Sequence, residues 1–181
     1  MPSLQKIDSQ AAAARGYSHE YLVQFTDLND TAGTAKTLTA CDDLPAGTRV
    51  QLLGYQVDTL FDGGATSELT VAVGWDLASG TDDSDGLMAA ASIHADATPI
   101  RYGPPAVADV DASTVDNTYG QQENDVITSL RSRVNTELKR PVKVFNDTAD
   151  LNFVFTSTGA NLTALTAGRV RFFLRLNAPL N

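Results

Sequence analysis

The chain has 181 residues, enough for one well-buried domain, with 13 Lys and Arg against 22 Asp and Glu for a formal net charge of -9. That balance argues against wrapping nucleic acid, which needs clustered cations to neutralise phosphates. The single cysteine, Cys41, leaves no intrachain disulfide and no cysteine zinc cluster, and no apolar run reaches the length of a membrane span.

The opening MPSLQKIDSQAAAARG lacks the apolar core of a secretory signal. Residues 1–18 are expected to form an arm, either frayed or ordered by a neighbouring subunit. A first strand is expected over His19–Leu28, with Tyr21, Val23 and Phe25 on one face, followed by the turn cluster Asn29–Gly33. Lys36–Ala40 reads as a second strand with Leu38 inward, and Cys41 as a small buried hydrophobe at its end.

From Leu44 to Asp76 the pattern is clearest. Leu69, Val71, Val73 and Trp75 alternate with Thr70, Ala72 and Gly74, the period of a strand with one buried face. Val50–Phe61 is a preceding strand, and Asp62-Gly63-Gly64 lets the chain reverse between them. Residues 77–90 read as a loop, and Ala89–Ala97 as a strand with Ile93 inside. The Pro- and Gly-rich stretch that follows, to about Gln122, reads as a long insertion of the kind that makes contacts. Val126, Ile127, Leu130, Val134 and Leu138 recur every three or four residues, which predicts one short amphipathic helix, with Lys139-Arg140 at its end. A strand over Ser129–Val144 is the other reading. Beyond Pro141 the chain is all β: Leu151, Phe153 and Phe155 alternate, as do Val170, Phe172, Leu174 and Leu176.

Catalytic signatures are weak. His19 and His94 are the only histidines, lie far apart in sequence and read as surface or strand-end residues. The acidic run Asp82-Asp83-Ser84-Asp85-Gly86 invites calcium, yet Thr81 and Ser92 stand where a calcium loop needs its first ligand and its bidentate Glu. It reads as a solvated loop. Neither a G-x-S-x-G elbow nor a phosphate-binding Gly loop occurs. Trp75, Tyr55, Tyr102 and Tyr119 could stack sugars, although Trp75 shares the inward phase of Leu69, Val71 and Val73 and so belongs to a core. No catalytic residue, metal ligand or cofactor is assigned.

Two stretches resemble small structural proteins of tailed bacteriophages. LPAGTRVQLLGYQVDTLFDGGATSELTVAVGWD is similar to their pattern of a turn, a strand, an F-D-G-type turn and a strand ending in V-G. FVFTSTGANLTALTAGRVRFFLRL resembles their closing hairpin. The likeness covers roughly 20–76 and 142–177, with 77–141 particular to this chain. It implies a non-enzymatic capsid decoration (cement) or minor head protein, often a trimer, whose partner is the major capsid protein. Such a protein resides on the outer capsid surface of the virion, after assembly in the host cytoplasm, and meets neither nucleic acid nor membrane. A tail, baseplate or head-fibre module binding host glycans is the alternative.

The expectation is an all-β fold, a jelly-roll or related β-sandwich of about eight strands with one short helix. Residues 1–18 form the arm, and 19–181 a single domain with an irregular insertion around 77–141. Partner contacts are expected in the arm, at Leu4, Ile7, Arg15 and Tyr17, and in the insertion, at Ile100, Arg101, Tyr102 and Tyr119. Deleting residues 2–16 is then expected to weaken capsid binding and leave the melting temperature in place.

Overall fold

A computed structural model describes residues 2, 4–8, 17–94 and 142–177. The helix expected over 126–138 lies outside these residues, as does most of the insertion.

The strands are β1 (Leu4–Lys6), β2 (His19–Gln24), β3 (Ala35–Leu44), β4 (Arg49–Asp62), β5 (Glu68–Leu77), β6 (Asp83–Ser92), β7 (Val142–Val144), β8 (Ala149–Thr158) and β9 (Ala167–Asn177). They form a five-stranded sheet ordered β1-β2-β9-β4-β7 and a four-stranded sheet ordered β3-β8-β5-β6, antiparallel throughout. With β1 set aside, strands two to nine cross from sheet to sheet at every step except the β5–β6 hairpin, as two interlocked Greek keys. That is the jelly-roll order.

The inner faces are the ones the period-2 pattern marked. Val170, Phe172 and Leu174 on β9 and Leu69, Val71, Val73 and Trp75 on β5 are all buried. Between the sheets the Phe153 ring lies 4.7 Å from that of Tyr21 and 4.6 Å from that of Phe172. These tilted contacts join strands that are distant in sequence and add to the burial of large apolar surface. On β4 the alternation slips: Leu52 faces Leu174, but Gly54 faces Phe173, leaving Leu53 as an extra residue. The bulge returns Tyr55 and Val57 to the core, where strict alternation from Leu52 would have turned them outward.

The two stretches that resemble phage proteins become β4–β5 and β8–β9, and they occupy neighbouring places in both sheets. Their turns interlock. The Thr166 amide donates to Asp62 O at 2.9 Å and the Ser67 amide to Thr158 O at 2.9 Å. Gly63 sits so close that a Cβ there would overlap the Ala164 carbonyl oxygen, which explains the glycine in the F-D-G turn.

Several boundaries differ from expectation. The first strand ends at Gln24, because Phe25–Asp27 tighten into a 3-10 turn that starts the crossing to the other sheet. The second strand is longer than expected, continuing through Cys41 and bulged near Ala40 and again near Asp43, whose φ is +54°. The expected loop over 77–90 is largely strand β6. Its register moves from Trp75↔Asp83 to Val73↔Met88, so Ser84–Leu87 form a wide bulge whose polar, Gly-containing sequence imitates a turn. Gly86 lies against the Trp75 ring, where any Cβ would overlap the indole.

The arm also differs. β1 pairs with β2 through Leu4↔Tyr21, Gln5↔Glu20 and Lys6↔His19, and Leu4 packs on the core, so this piece is ordered by its own domain.

Candidate interaction surfaces

The turns gather at two ends. At one end the β2–β3 crossing meets the β8–β9 turn (Leu162 amide to Gly33 O, 2.9 Å), and the chain leaves β6 beside Phe61 at His94. At the other, the β3–β4 turn meets Phe145 (Gly47 amide to Phe145 O, 2.7 Å), and the Ala78 amide donates to Thr148 O at 2.9 Å.

This second end is acidic. Asp42, Asp43, Asp76, Asp82, Asp147 and Asp150 cluster there, and among the described residues none of them is in an ion pair. Some caps backbone instead: Asp150 accepts from the Asp43 amide at 2.9 Å and Asp82 from the Leu77 amide at 2.8 Å. The Ser79 hydroxyl, and then the Thr148 amide, hold the Asp147 carboxyl below its usual pKa. A small cavity of about 130 Å³ lies between Asp43, Asp76 and Asp150. Among the described residues no group of three His, Cys, Asp or Glu side chains could hold a metal ion.

The outer face of the five-stranded sheet is built on β9. Successive outward residues there are Arg169, Arg171, Phe173 and Arg175. Arg171 donates to Asp58 at 2.8 Å and lies 3.7 Å from Glu20, while Arg169 is 3.4 Å from Asp58. The hydrogen bond that Arg171 donates to Asp58 raises the pKa of its guanidinium above the ordinary value. Tyr17 stacks on Phe173 at 4.8 Å and donates its hydroxyl to Glu20 at 2.7 Å. Charges and rings on this face are engaged with one another.

The outer face of the four-stranded sheet is unlike it. Register fixes three rows across the strands. The first is Thr39, Asn152 and Gly74, the second Thr37, Val154 and Ala72. The third is Ala35, Thr156, Thr70 and Ser92. None is charged. The Thr39 hydroxyl donates to the Asn152 side chain at 2.8 Å and that of Thr70 to Thr156 O at 3.4 Å, while the Thr37 and Thr156 hydroxyls have no partner among the described residues. Glu68, which accepts from the Ser92 hydroxyl, borders one end, and the Asp76↔Asp150 pair borders the other.

The expected contact residues are scattered. Leu4 is half-buried and packs against the core, sharing the inward phase of Tyr21. Ile7 is half-buried and ties back to the domain through its amide, 3.0 Å from Ser18 O, and Tyr17 lies on the charged face. Arg15, Ile100, Arg101, Tyr102 and Tyr119 lie outside the described residues. Tyr55 and Trp75, at 1 % exposure each, are core residues and offer no sugar platform. His94 is buried at the end of β6, and His19 is half-buried with its pKa lowered first by burial and then by Lys6. Cys41 is half-buried mid-strand, and burial, followed by Asp42 and Asp150, pushes its thiol pKa up, away from reactive thiolate.

Both outer faces escaped sequence reasoning, since each assembles only after register is known. The alternating polar residues Thr37/Thr39, Thr70/Ala72 and Val154/Thr156 were the available signal. No protein-family model, curated protein or solved structure matches this chain.

Proposed function

We propose that this chain is a structural virion protein of a tailed bacteriophage, a decoration protein that binds the outer capsid surface and stabilises the shell. The observation that supports the reading best is the interlocked pair β4–β5 and β8–β9. The two stretches that resemble phage structural proteins pack as one unit inside a jelly roll, a fold that capsid proteins use. A resemblance held in two distant segments gains weight when those segments meet in space.

The physics of the role is mass action. A protein that binds the assembled shell and not its free subunits stabilises the assembly in proportion to occupancy. A rigid sandwich offers faces, edges and end turns for such contacts, and this one keeps uncharged and charged faces apart. In this reading residues 1–18 and 98–122 supply further capsid contacts. Deleting residues 2–16 would also remove β1 and Leu4, so a lowered melting temperature is now expected alongside any loss of binding.

The deciding experiment is the copy number of the chain in purified virions, by quantitative mass spectrometry against the major capsid protein. A stoichiometry comparable to that protein is the expected result. A handful of copies would point instead to a tail, baseplate or fibre position, and absence from the particle would overturn the virion role.

A further inference from the structure

We propose that the open edge of β3, over residues 35–39, is a strand-addition site that takes an extended peptide with an uncharged centre and Lys or Arg at its ends. The inference stands apart from the virion role, because it names the chemistry of a partner segment and not the particle that carries it.

Backbone groups identify the occupant. The Ser157 amide donates to Thr34 O at 2.7 Å, and the register then runs one to one from Ala35↔Thr156 to Thr39↔Asn152. In an antiparallel pair successive residues point their N–H and C=O to opposite sides. Lys36 and Leu38 therefore bond β8, while Ala35, Thr37 and Thr39 turn theirs outward. Among the described residues β3 pairs with no strand but β8. Another extended backbone presents donors and acceptors at the spacing of these outward groups.

The other sheet edges are blunted in ways this one is not. β1 and β7 span three residues each, and β6 is interrupted by its wide bulge. Residues 35–39 hold neither bulge nor proline, since the irregularities of β3 fall beyond Thr39. Lys36, the charge that would guard the edge, is drawn back onto Asp30 and the Asp27 carbonyl. Beside Thr37, Leu38 and Thr39 lies a cavity of about 310 Å³, lined also by Thr26, Asp27 and Asp30, with room for a side chain of the added strand.

Charge sets the flanks. Asp27 and Asp30 stand at one end of the open run, offset in part by Lys36, and the exposed Asp42 and Asp43 stand at the other. Thr37, Leu38 and Thr39 between them are uncharged. A second copy pairing edge to edge about this run would lie antiparallel and set Asp30 of each chain towards Asp42 and Asp43 of the other. Carboxylates would then oppose carboxylates, so the complementary strand is one with cations at both ends. The contact is short and partly electrostatic, which makes it weak and loosened by salt.

Amide hydrogen exchange on the full chain, read residue by residue by NMR, tests this with a short synthetic peptide of alternating Thr and Val flanked by lysines. Exchange at the Thr37 and Thr39 amides should slow by about tenfold at near-millimolar peptide, and added salt should reverse the protection. The same peptide N-methylated along its centre should protect neither amide, and a glutamate-flanked version should bind about tenfold more weakly. Thr39→Pro removes an outward N–H without touching the ladder to β8 and should weaken binding by about tenfold. Asp42→Lys makes the test through charge, with a loss of about threefold, should the proline variant fold poorly. Exchange indifferent to the peptide, protection at β6 or β7 in place of β3, or equal binding of the N-methylated peptide would each overturn the proposal. So would protection that grows with protein concentration in the absence of peptide, since a second copy would then be the occupant. Virion copy number enters none of these outcomes, so the two readings fail separately.

Discussion

The two outer faces of this sandwich share a core and a backbone geometry, yet they use their side chains in opposite ways. On the five-stranded sheet, Arg169 and Arg171 are held by Asp58 and Glu20, and Phe173 is covered by Tyr17. On the four-stranded sheet the outward rows are uncharged Thr, Ala, Val and Asn, of which Thr37, Thr39 and Thr156 are exposed, Ala72 and Val154 half-buried and Asn152 buried. The difference teaches that side chains on the outer face of a sheet can be engaged with one another or left to solvent over the same core.

The most severe way to break the comparison is to remove the layer both faces rest on. Phe153→Ala empties a site between Tyr21 and Phe172, and a loss of about 3–5 kcal/mol in denaturant unfolding is expected. A smaller effect separates the faces. Asp58→Ala strips Arg171 and Arg169 of their shared partner, and because these groups are only partly buried the expected loss is about 1 kcal/mol, shrinking in high salt. Ala72→Glu on the other face should change the stability of the protein by no more than about 0.5 kcal/mol. If these two costs came out equal, the contrast between an engaged and an open face would be lost.

The smallest effect lies where the chain crosses between the sheets. Lys36 on β3 pairs with Asp30 and donates to Asp27 O at 2.7 Å, which pins the crossing turn. The hydrogen bond from Lys36 lowers the Asp30 pKa below its ordinary 3.8. A depressed folded-state carboxyl stabilises above the unfolded pKa, and that contribution disappears as pH falls through the folded value. Acid titration of melting should therefore show a slight loss below about pH 3.8 that Asp30→Asn removes. An identical acid profile in the variant would show that the pin contributes nothing.

Much of this was legible in the sequence, and the reason is periodicity. Wherever one face is buried and the other wet, as along Leu69–Trp75 or Leu151–Phe155, alternation names the inward residues without any knowledge of partners. What stayed hidden was whatever alternation does not encode. The run VQLLGYQV conceals a bulge at Leu53-Gly54, and DSDG conceals another inside β6, because an inserted residue looks like a break. The pairing of β1 was hidden too, since three residues carry too little pattern to announce a strand. The faces required register, which brings Thr39 beside Asn152 across more than a hundred residues of chain.

One arrangement has a use outside binding. Trp75 is the sole tryptophan, almost wholly enclosed, with the Lys143 ammonium 4.3 Å from its ring centre. Lys143 belongs to β7, the three-residue edge strand held only by Arg49–Gln51 among the described residues. The protein thus contains an optical gauge of that edge. Lifting β7 withdraws a cation from the indole before the interior is wetted, so emission intensity should change ahead of any red shift. Fluorescence can then time the detachment of one strand separately from the melting of the whole.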